Sequence, residues 1–325
     1  MIVLTSEDIV ALLQMTDAIE TVETAMKAVS KGGAELPLRN VVPVGSNNRL
    51  GVMPGALSDP ACFGVKLVSL FPGNPARGLS SHLGAFILFD ALTGQAAAMM
   101  DASLLTAIRT AAASAVATRA LARQDASKLA IIGYGEQAEH HLDAICAVRH
   151  IESVHIAGRD GAKAAAFCTT AMARYPTLQF RAGDDVGAAV EEADIVCTVT
   201  ASPTPVLNHA WLAEGVHVNV VGSSIPSMRE VDDDLILKSS VWVDYLPSTL
   251  AQAGEIVDLI AAKRYTADTL KGEIGQLLNG DTTGRTSPHE QTVYRSLGIA
   301  AQDLAAAQFV LIAATERGMG QFVRL

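Results

Sequence analysis

Positive charge is scarce in this sequence: 24 Lys and Arg stand against 34 Asp and Glu, a formal net charge of −10. That balance excludes a broad basic surface for nucleic acid or for an anionic membrane, and leaves room only for a local basic pocket. Cysteine is scarce too. Cys62, Cys146, Cys168 and Cys197 are far apart, form no CxxC pair and lie in apolar or helical contexts. They read as buried free thiols of a reducing, cytoplasmic setting. Long apolar runs are missing. Leu104–Ala122 has the length of a membrane span, but Arg109 and Arg119 interrupt it, and a span needs roughly 18 uncharged apolar residues. The N-terminus has neither a basic start nor an apolar core, so no signal peptide is expected. There is no HExxH and no GxSxG, and the histidines lack ligand spacing. His140 and His141 are neighbours on one helix and point to different sides, so no metal is expected. With half its residues hydrophobic, the chain is globular, and 325 residues allow one large or two ordinary domains.

What is present centres on Lys128–Ala138. A short apolar strand meets Gly133-Tyr134-Gly135-Glu136-Gln137-Ala138, and a helical segment follows. This is the dinucleotide fingerprint Gly-x-Gly-x-x-Ala in its strand–turn–helix context. The first glycine makes the tight turn and the second admits a pyrophosphate. The small third residue lets the helix pack, and the helix N-terminus supplies N–H donors.

Before it, Thr5–Asp8 and Thr16-Asp17 predict two helix starts, the second helix ending at Gly32-Gly33. Strands are predicted at Val41–Val44, Leu50–Met53, Gly64–Phe71, Gly84–Asp90 and Ala96–Met100, with a hairpin turn at Asn47-Asn48. The first hundred residues thus read as two helices and an antiparallel meander, and an Ala-rich helix over 103–122 leads onward. After it strand and helix alternate, as in a doubly wound parallel sheet. Strands are expected at Lys128–Ile132, Ser153–Ala157, Asp194–Thr200, Val216–Val221 and Ser240–Val243. The last segment, Ser296–Glu316, reads as a long helix returning to the first domain.

The second strand ends Gly158-Arg159-Asp160. An acid there accepts from a ribose 2′-OH, whereas an Arg accommodates a 2′-phosphate. Arg159 follows the strand directly, so the reading leans slightly to NADP(H) over NAD(H). Outside the fingerprint, Arg39, Lys66 and Arg109 are cations in short, mostly apolar contexts of a module with few acids nearby to pair with them. Buried cations need an anion, and a carboxylate clamp is the functional reading. The alternative is surface cations on half-exposed elements. His82, at a strand entrance, is placed to donate a proton or to serve structure alone. Arg77 is read as a surface arginine or as a site for a second carboxylate.

At this point the sequence resembles the ornithine cyclodeaminase/mu-crystallin family over its length. The carrying motifs are Val52-Met53-Pro54, Gly64-Val65-Lys66, Leu105–Ala112, Gly133–Ala138, Ala253-Gly254-Glu255 and Thr292–Gly298. The resemblance implies an α/β fold: a Rossmann doubly wound parallel sheet over 116–296, inserted in an α+β substrate-binding and dimerisation domain over 1–115 plus 297–325. It implies a homodimer with NAD(P)H as cofactor. It places Arg39, Met53, Lys66, Arg109 and Ser224 at the substrate, with Lys66 and His82 in catalysis. The cofactor contacts it implies are Arg109, Thr110, Gly133, Gly135, Glu136, Gln137, Arg159, Asp160, Thr200, Ala201, Ser202, Gly222, Ser223, Ser296, Leu297 and Gly298. Cyclodeaminases in this family carry an Asp where Ser224 stands and tend to carry an acid near Met-Pro, where Gly51 stands. The similarity is therefore greater to the ketimine, Δ1-pyrroline-2-carboxylate and iminosuccinate reductases. The expected activity is NAD(P)H-dependent reduction of a small imino acid to the L-amino acid. Ornithine cyclodeamination with tightly held NAD, an alanine dehydrogenase-like activity and a non-catalytic binding protein are the alternatives.

Overall fold

The structure, a computed structural model, describes residues 1–45 and 47–324. The chain divides into two compact units, Met1–Thr110 with Ile299–Leu325, and Ala111–Gly298.

In the first unit, strands β1 (Ile2–Leu4), β2 (Ala34–Glu35), β3 (Asn40–Val44), β4 (Asn48–Ser58), β5 (Ala61–Leu70), β6 (His82–Asp90) and β7 (Ala96–Asp101) share one sheet with β16 (Gln321–Phe322). Its order is β16-β1-β7-β6-β5-β4-β2, with β3 on β4. The predicted meander β4–β7 is there, antiparallel throughout. β3 and β4 form the expected hairpin, Val44 facing Asn48. Helices α1 (Ser6–Leu12) and α2 (Met15–Ser30) precede the meander. Thr5 and Asp8 cap α1 reciprocally, as their spacing predicts. α2 begins at Met15 behind Gln14, two residues before the predicted cap. α3 (Ala102–Leu121) closes the segment.

The last helix, α11 (Ala300–Arg317), lies on β4 and β5. Two glycines let it lie close. A Cβ at Gly55 would sit 2.9 Å from the Ala300 methyl, and one at Gly64 would sit 2.4 Å from the Ile87 carbonyl and 3.3 Å from Leu304. α11 starts four residues later than predicted, because Ser296–Gly298 is loop.

In the second unit the strands are β8 (Lys128–Ile132), β9 (Ser153–Ala157), β10 (Gln179–Gly183), β11 (Ile195–Thr198), β12 (His217–Val220), β13 (Ser240–Val243), β14 (Gly272–Glu273) and β15 (Thr292–Arg295). All pairs are parallel, in the order β10-β9-β8-β11-β12-β15-β13-β14. The helices are α4 (Glu136–Val148), α5 (Gly161–Arg174), α6 (Val186–Val190), α7 (Asp233–Lys238), α8 (Leu246–Gln252), α9 (Gly254–Ala261) and α10 (Ile274–Asn279). This is the doubly wound sheet expected from the alternation. β8, β9 and β13 have the predicted bounds, whereas β10, β14 and β15 were not predicted. Two apolar clusters fill the unit, one around Val218, Val241 and Ile256 and the other around Ile131, Leu142 and Val154.

Candidate functional site: a dinucleotide cradle and a buried charge cluster

In the second unit the chain turns sharply between β8 and α4. Gly133 has φ +123°, and a Cβ there would meet Val199 at 3.0 Å. Gly135 is the N-cap of α4, with no side-chain cap bond, and the space where its Cβ would project is open. These residues line a cavity of about 860 Å3 with Gly158, Arg159, Thr200, Ala201, Ser202 and Trp211. A glycine-walled cradle at an uncapped helix N-terminus fits a dinucleotide pyrophosphate. Glu136 opens α4. Gln137 directs its carbonyl to His141 Nδ1, while its side-chain oxygen is buried without a hydrogen-bond partner among the described residues. His141 is sealed against Ser114 at 3.0 Å, and burial lowers its pKa to about 4, so it is a neutral packing residue.

Asp160 is engaged locally. Its carboxylate caps α5, accepting from Ala162 and Lys163 N–H at 3.1 Å. Arg159 is exposed and lines the cavity.

Three buried acids, which sequence reasoning did not single out as site residues, hold the loops at the C-terminal strand ends. Glu230 accepts from Thr198 Oγ1, from the N–H and hydroxyl of Thr200, and from Gly222 N–H. Burial raises its pKa against these bonds. Asp244 accepts from Leu297 and Gly298 N–H at 2.8 and 2.7 Å. Glu255 pairs with Arg295, which also donates to Ser223 Oγ and to the Ser296 carbonyl. The motif stretches Ala253–Glu255 and Thr292–Gly298 thereby meet in one buried network. Ser224 is half-buried beside it.

The first unit holds the cations. Lys66 and Arg109 are 3% and 4% exposed, so each needs a partner. The expectation that acids are few around them is corrected here: Asp303, on α11, serves both. Lys66 Nζ lies 3.0 Å from Asp303 Oδ1, and Arg109 Nε donates to the same oxygen at 2.8 Å. Gln302 Oε1 accepts from Arg109 Nη1 at 2.9 Å, and Thr106 lies 3.3 Å from Lys66 Nζ. Burial would raise the Asp303 carboxyl, but Arg109 and Lys66 hold it below its usual range. Burial first, then the charge of Arg109, pulls Lys66 down to about 7, while Asp303 pulls the other way. Arg39, half-buried just ahead of β3, lowers it further. Two buried cations thus share one carboxylate, an excess of positive charge that suits an incoming anion. Met53 is the cross-strand neighbour of Lys66. The signal for Asp303 was a lone acid inside the Ala-rich run 300–307.

Thr110 is buried on α3 behind Arg109. His82 is set apart. It pairs with Leu70, whereas Lys66 pairs with Phe86, so the two lie about 13 Å apart along the strands. It is exposed, its Nδ1 2.9 Å from Ser81 Oγ. Partial desolvation and then the charge of Lys66 lower its pKa.

Residues 1–317 match the ornithine cyclodeaminase/mu-crystallin family. A Δ1-pyrroline-2-carboxylate reductase of Bacillus cereus is 34% identical over 325 residues, 99% of each chain. Ketimine reductase mu-crystallin of Mus musculus is 32% identical over 296 residues, 90% of each chain. Among solved structures, Δ1-pyrroline-2-carboxylate reductase of Thermococcus litoralis, in complex with NADH and L-proline, superposes with a TM-score of 0.96. It is 33% identical, covering 99% of this chain and all of that one.

Proposed function

We propose that this chain, which belongs to the ornithine cyclodeaminase/mu-crystallin family, is an NAD(P)H-dependent imine reductase that converts a small imino acid to the L-amino acid. The observation that carries the reading is the buried cluster of Lys66 and Arg109 around Asp303, in a chain that also carries the glycine cradle. The guanidinium of Arg109 and the charge of Arg39 bind the substrate carboxylate. Lys66, whose pKa sits near 7, gives a proton to the imine nitrogen and recovers it from solvent. The reduced nicotinamide, when bound, supplies the hydride. The balance is one imine, one NAD(P)H and one proton giving one amine and one NAD(P)+. The positive cluster also draws electron density from the C=N carbon, which is electrostatic catalysis at a desolvated site.

Gly133, Gly135, Glu136 and Gln137 hold the pyrophosphate side of the cofactor. Thr200, Ala201, Ser202, Gly222 and Ser223 support the nicotinamide side, on loops that Glu230 and Arg295 fix. Ser296, Leu297 and Gly298 belong to the same group, pinned by Asp244. NADP(H) is the preferred form. With the Asp160 carboxylate capping α5, Arg159 is the side chain free of such a role at the end of β9. Comparing turnover with NADPH and NADH tests this, and a strong NADH preference refutes it.

Cyclodeamination is disfavoured because Ser224 and Gly51 are not acids, and a Cβ at Gly51 would already lie 3.2 Å from Val68. The active form is a homodimer in the cytoplasm. β3 is exposed along its length, with Val41, Val42 and Val44 outward. Phe63 and Phe89 stack at 5.2 Å on the sheet, and Phe63 remains 37% exposed. Such apolar surface on an edge hairpin suits an isologous interface, and the molar mass in solution tests it. The four free thiols agree with a reducing compartment.

The activity test is oxidation of NAD(P)H with Δ1-pyrroline-2-carboxylate, Δ1-piperideine-2-carboxylate, iminosuccinate, and pyruvate with ammonia. Silence with all four contradicts imine reduction, and ammonia release from ornithine would favour the cyclodeaminase reading.

A further inference from the structure

The cation cluster has an organiser outside the motifs that point to it. Asp303 lies on the last helix, 237 residues from Lys66 and 194 from Arg109 in sequence, and is fully buried. One carboxylate oxygen is shared by the Lys66 ammonium and the Arg109 Nε. Neighbouring Gln302 takes the Nη1 of Arg109. Arg109 is therefore held from two points of α11, and Lys66 by Asp303 with a longer contact to Thr106. The groups around Lys66 are Asp303 on α11, Arg109 and Thr106 on α3, Arg39 before β3, Met53 on β4, and Phe86 and the more distant His82 on β6. Asp303 is the acid among them. Without it the charges that act on the buried ammonium, among the described residues, would be those of Arg109 and Arg39.

We propose that Asp303 is the positioning residue of this site: it aims the Lys66 ammonium and keeps it charged, so that Lys66 both attracts the substrate carboxylate and delivers the proton. An uncharged partner of the same shape would preserve packing while removing the ion pair. The two roles of Asp303, filling space and setting charge, are therefore separable.

The proposal rests on the imine-reduction reading, but its test needs no turnover. Binding of pyrrole-2-carboxylate, a planar unreactive carboxylate, to the NAD(P)H-loaded protein is followed by cofactor fluorescence across pH. In the wild type, affinity falls as Lys66 loses its proton. In Asp303→Asn the midpoint moves down by about one pH unit or more. Affinity for NAD(P)H stays within about twofold, because the residue does not belong to the dinucleotide cradle. Asp303→Glu returns the midpoint to within about half a unit of the wild type. Weakening by the same factor at every pH in Asp303→Asn would mean a purely structural residue and overturns the proposal. A wild type without a pH midpoint, or a folded Asp303→Glu whose midpoint stays low, overturns it too. Should Asp303→Asn not fold, the Glu variant decides alone. Failure of every imine to oxidise NAD(P)H would defeat the reductase reading and leave this titration interpretable.

Discussion

On the proposed reading, the two units hold an anion in opposite ways. The second unit uses backbone. Gly133 and Gly135 clear space, and the N-terminus of α4 offers N–H groups, with no side-chain charge needed. The first unit uses buried side-chain charge: Lys66 on β5, Arg109 on α3 and their shared partner Asp303 on α11. A backbone cradle is tolerant, since its donors are fixed by the turn and titrate at no accessible pH. A charge cluster is adjustable but fragile, since each member is buried only because the others are there. The first unit should therefore carry the pH dependence and the substrate dependence, and the second the cofactor dependence.

The sharpest way to break this division is Arg109→Ala. On the proposed reading it takes the guanidinium from the substrate carboxylate, and it leaves Asp303 to Lys66. Truncating one partner of a buried charge pair costs about 2–5 kcal/mol, so kcat/KM for the imine should fall by roughly 30-fold to a few thousandfold. The dissociation constant for NAD(P)H should change far less than the KM for the imine. An unchanged KM for the imine would count against the clamp. The converse variant is Gly133→Ala. A side chain at φ +123° and in contact with Val199 is strained by about 1–3 kcal/mol. The loss should appear as weaker cofactor binding in fluorescence titration, with the pH profile of the imine step unmoved. A shifted profile would show that the two units are not separate in this way.

Arg159→Ala should act on cofactor choice alone, lowering the NADPH-to-NADH ratio of kcat/KM by about tenfold through loss of a charge-assisted bond. An unchanged ratio would move the 2′-phosphate contact elsewhere. One further test needs no mutation. Burial and then the charge of Arg109 lower the Lys66 pKa to about 7, and Lys66 must be protonated to donate. Reduction is therefore fastest below that pH, falls to about half at it and declines by about tenfold per unit above it. Oxidation of the amine runs the other way, because the unprotonated Lys66 is then the acceptor. A flat reductive profile between pH 6 and about 9 would remove Lys66 as the donor.

The same contrast explains what was legible in the sequence. The cradle is written in six consecutive residues, Gly133–Ala138, so the strand has its predicted bounds and a helix follows the turn as expected. β10, β14 and β15 were missed: two are very short or largely exposed, and Thr292–Arg295 is a buried four-residue strand without alternation. The cations stood out because charge in apolar surroundings is conspicuous. Their partner did not, because helix–sheet packing brings Asp303 to them from the far end of the chain. In an Ala-rich helix a single acid resembles an exposed one. The loop acids Glu230 and Asp244 escaped for a similar reason. Their work is to accept backbone N–H groups, which leaves no sequence pattern.

On the proposed reading, hydride leaves the cofactor for the α-carbon of an imino acid. Turnover of Δ1-pyrroline-2-carboxylate with NAD(P)H deuterated at the transferring position, followed by mass spectrometry of the amino acid, tests it directly. One deuterium per product molecule is expected, at the α-carbon, with an equal amount of oxidised cofactor. Deuterium retained on the cofactor while product forms would contradict it.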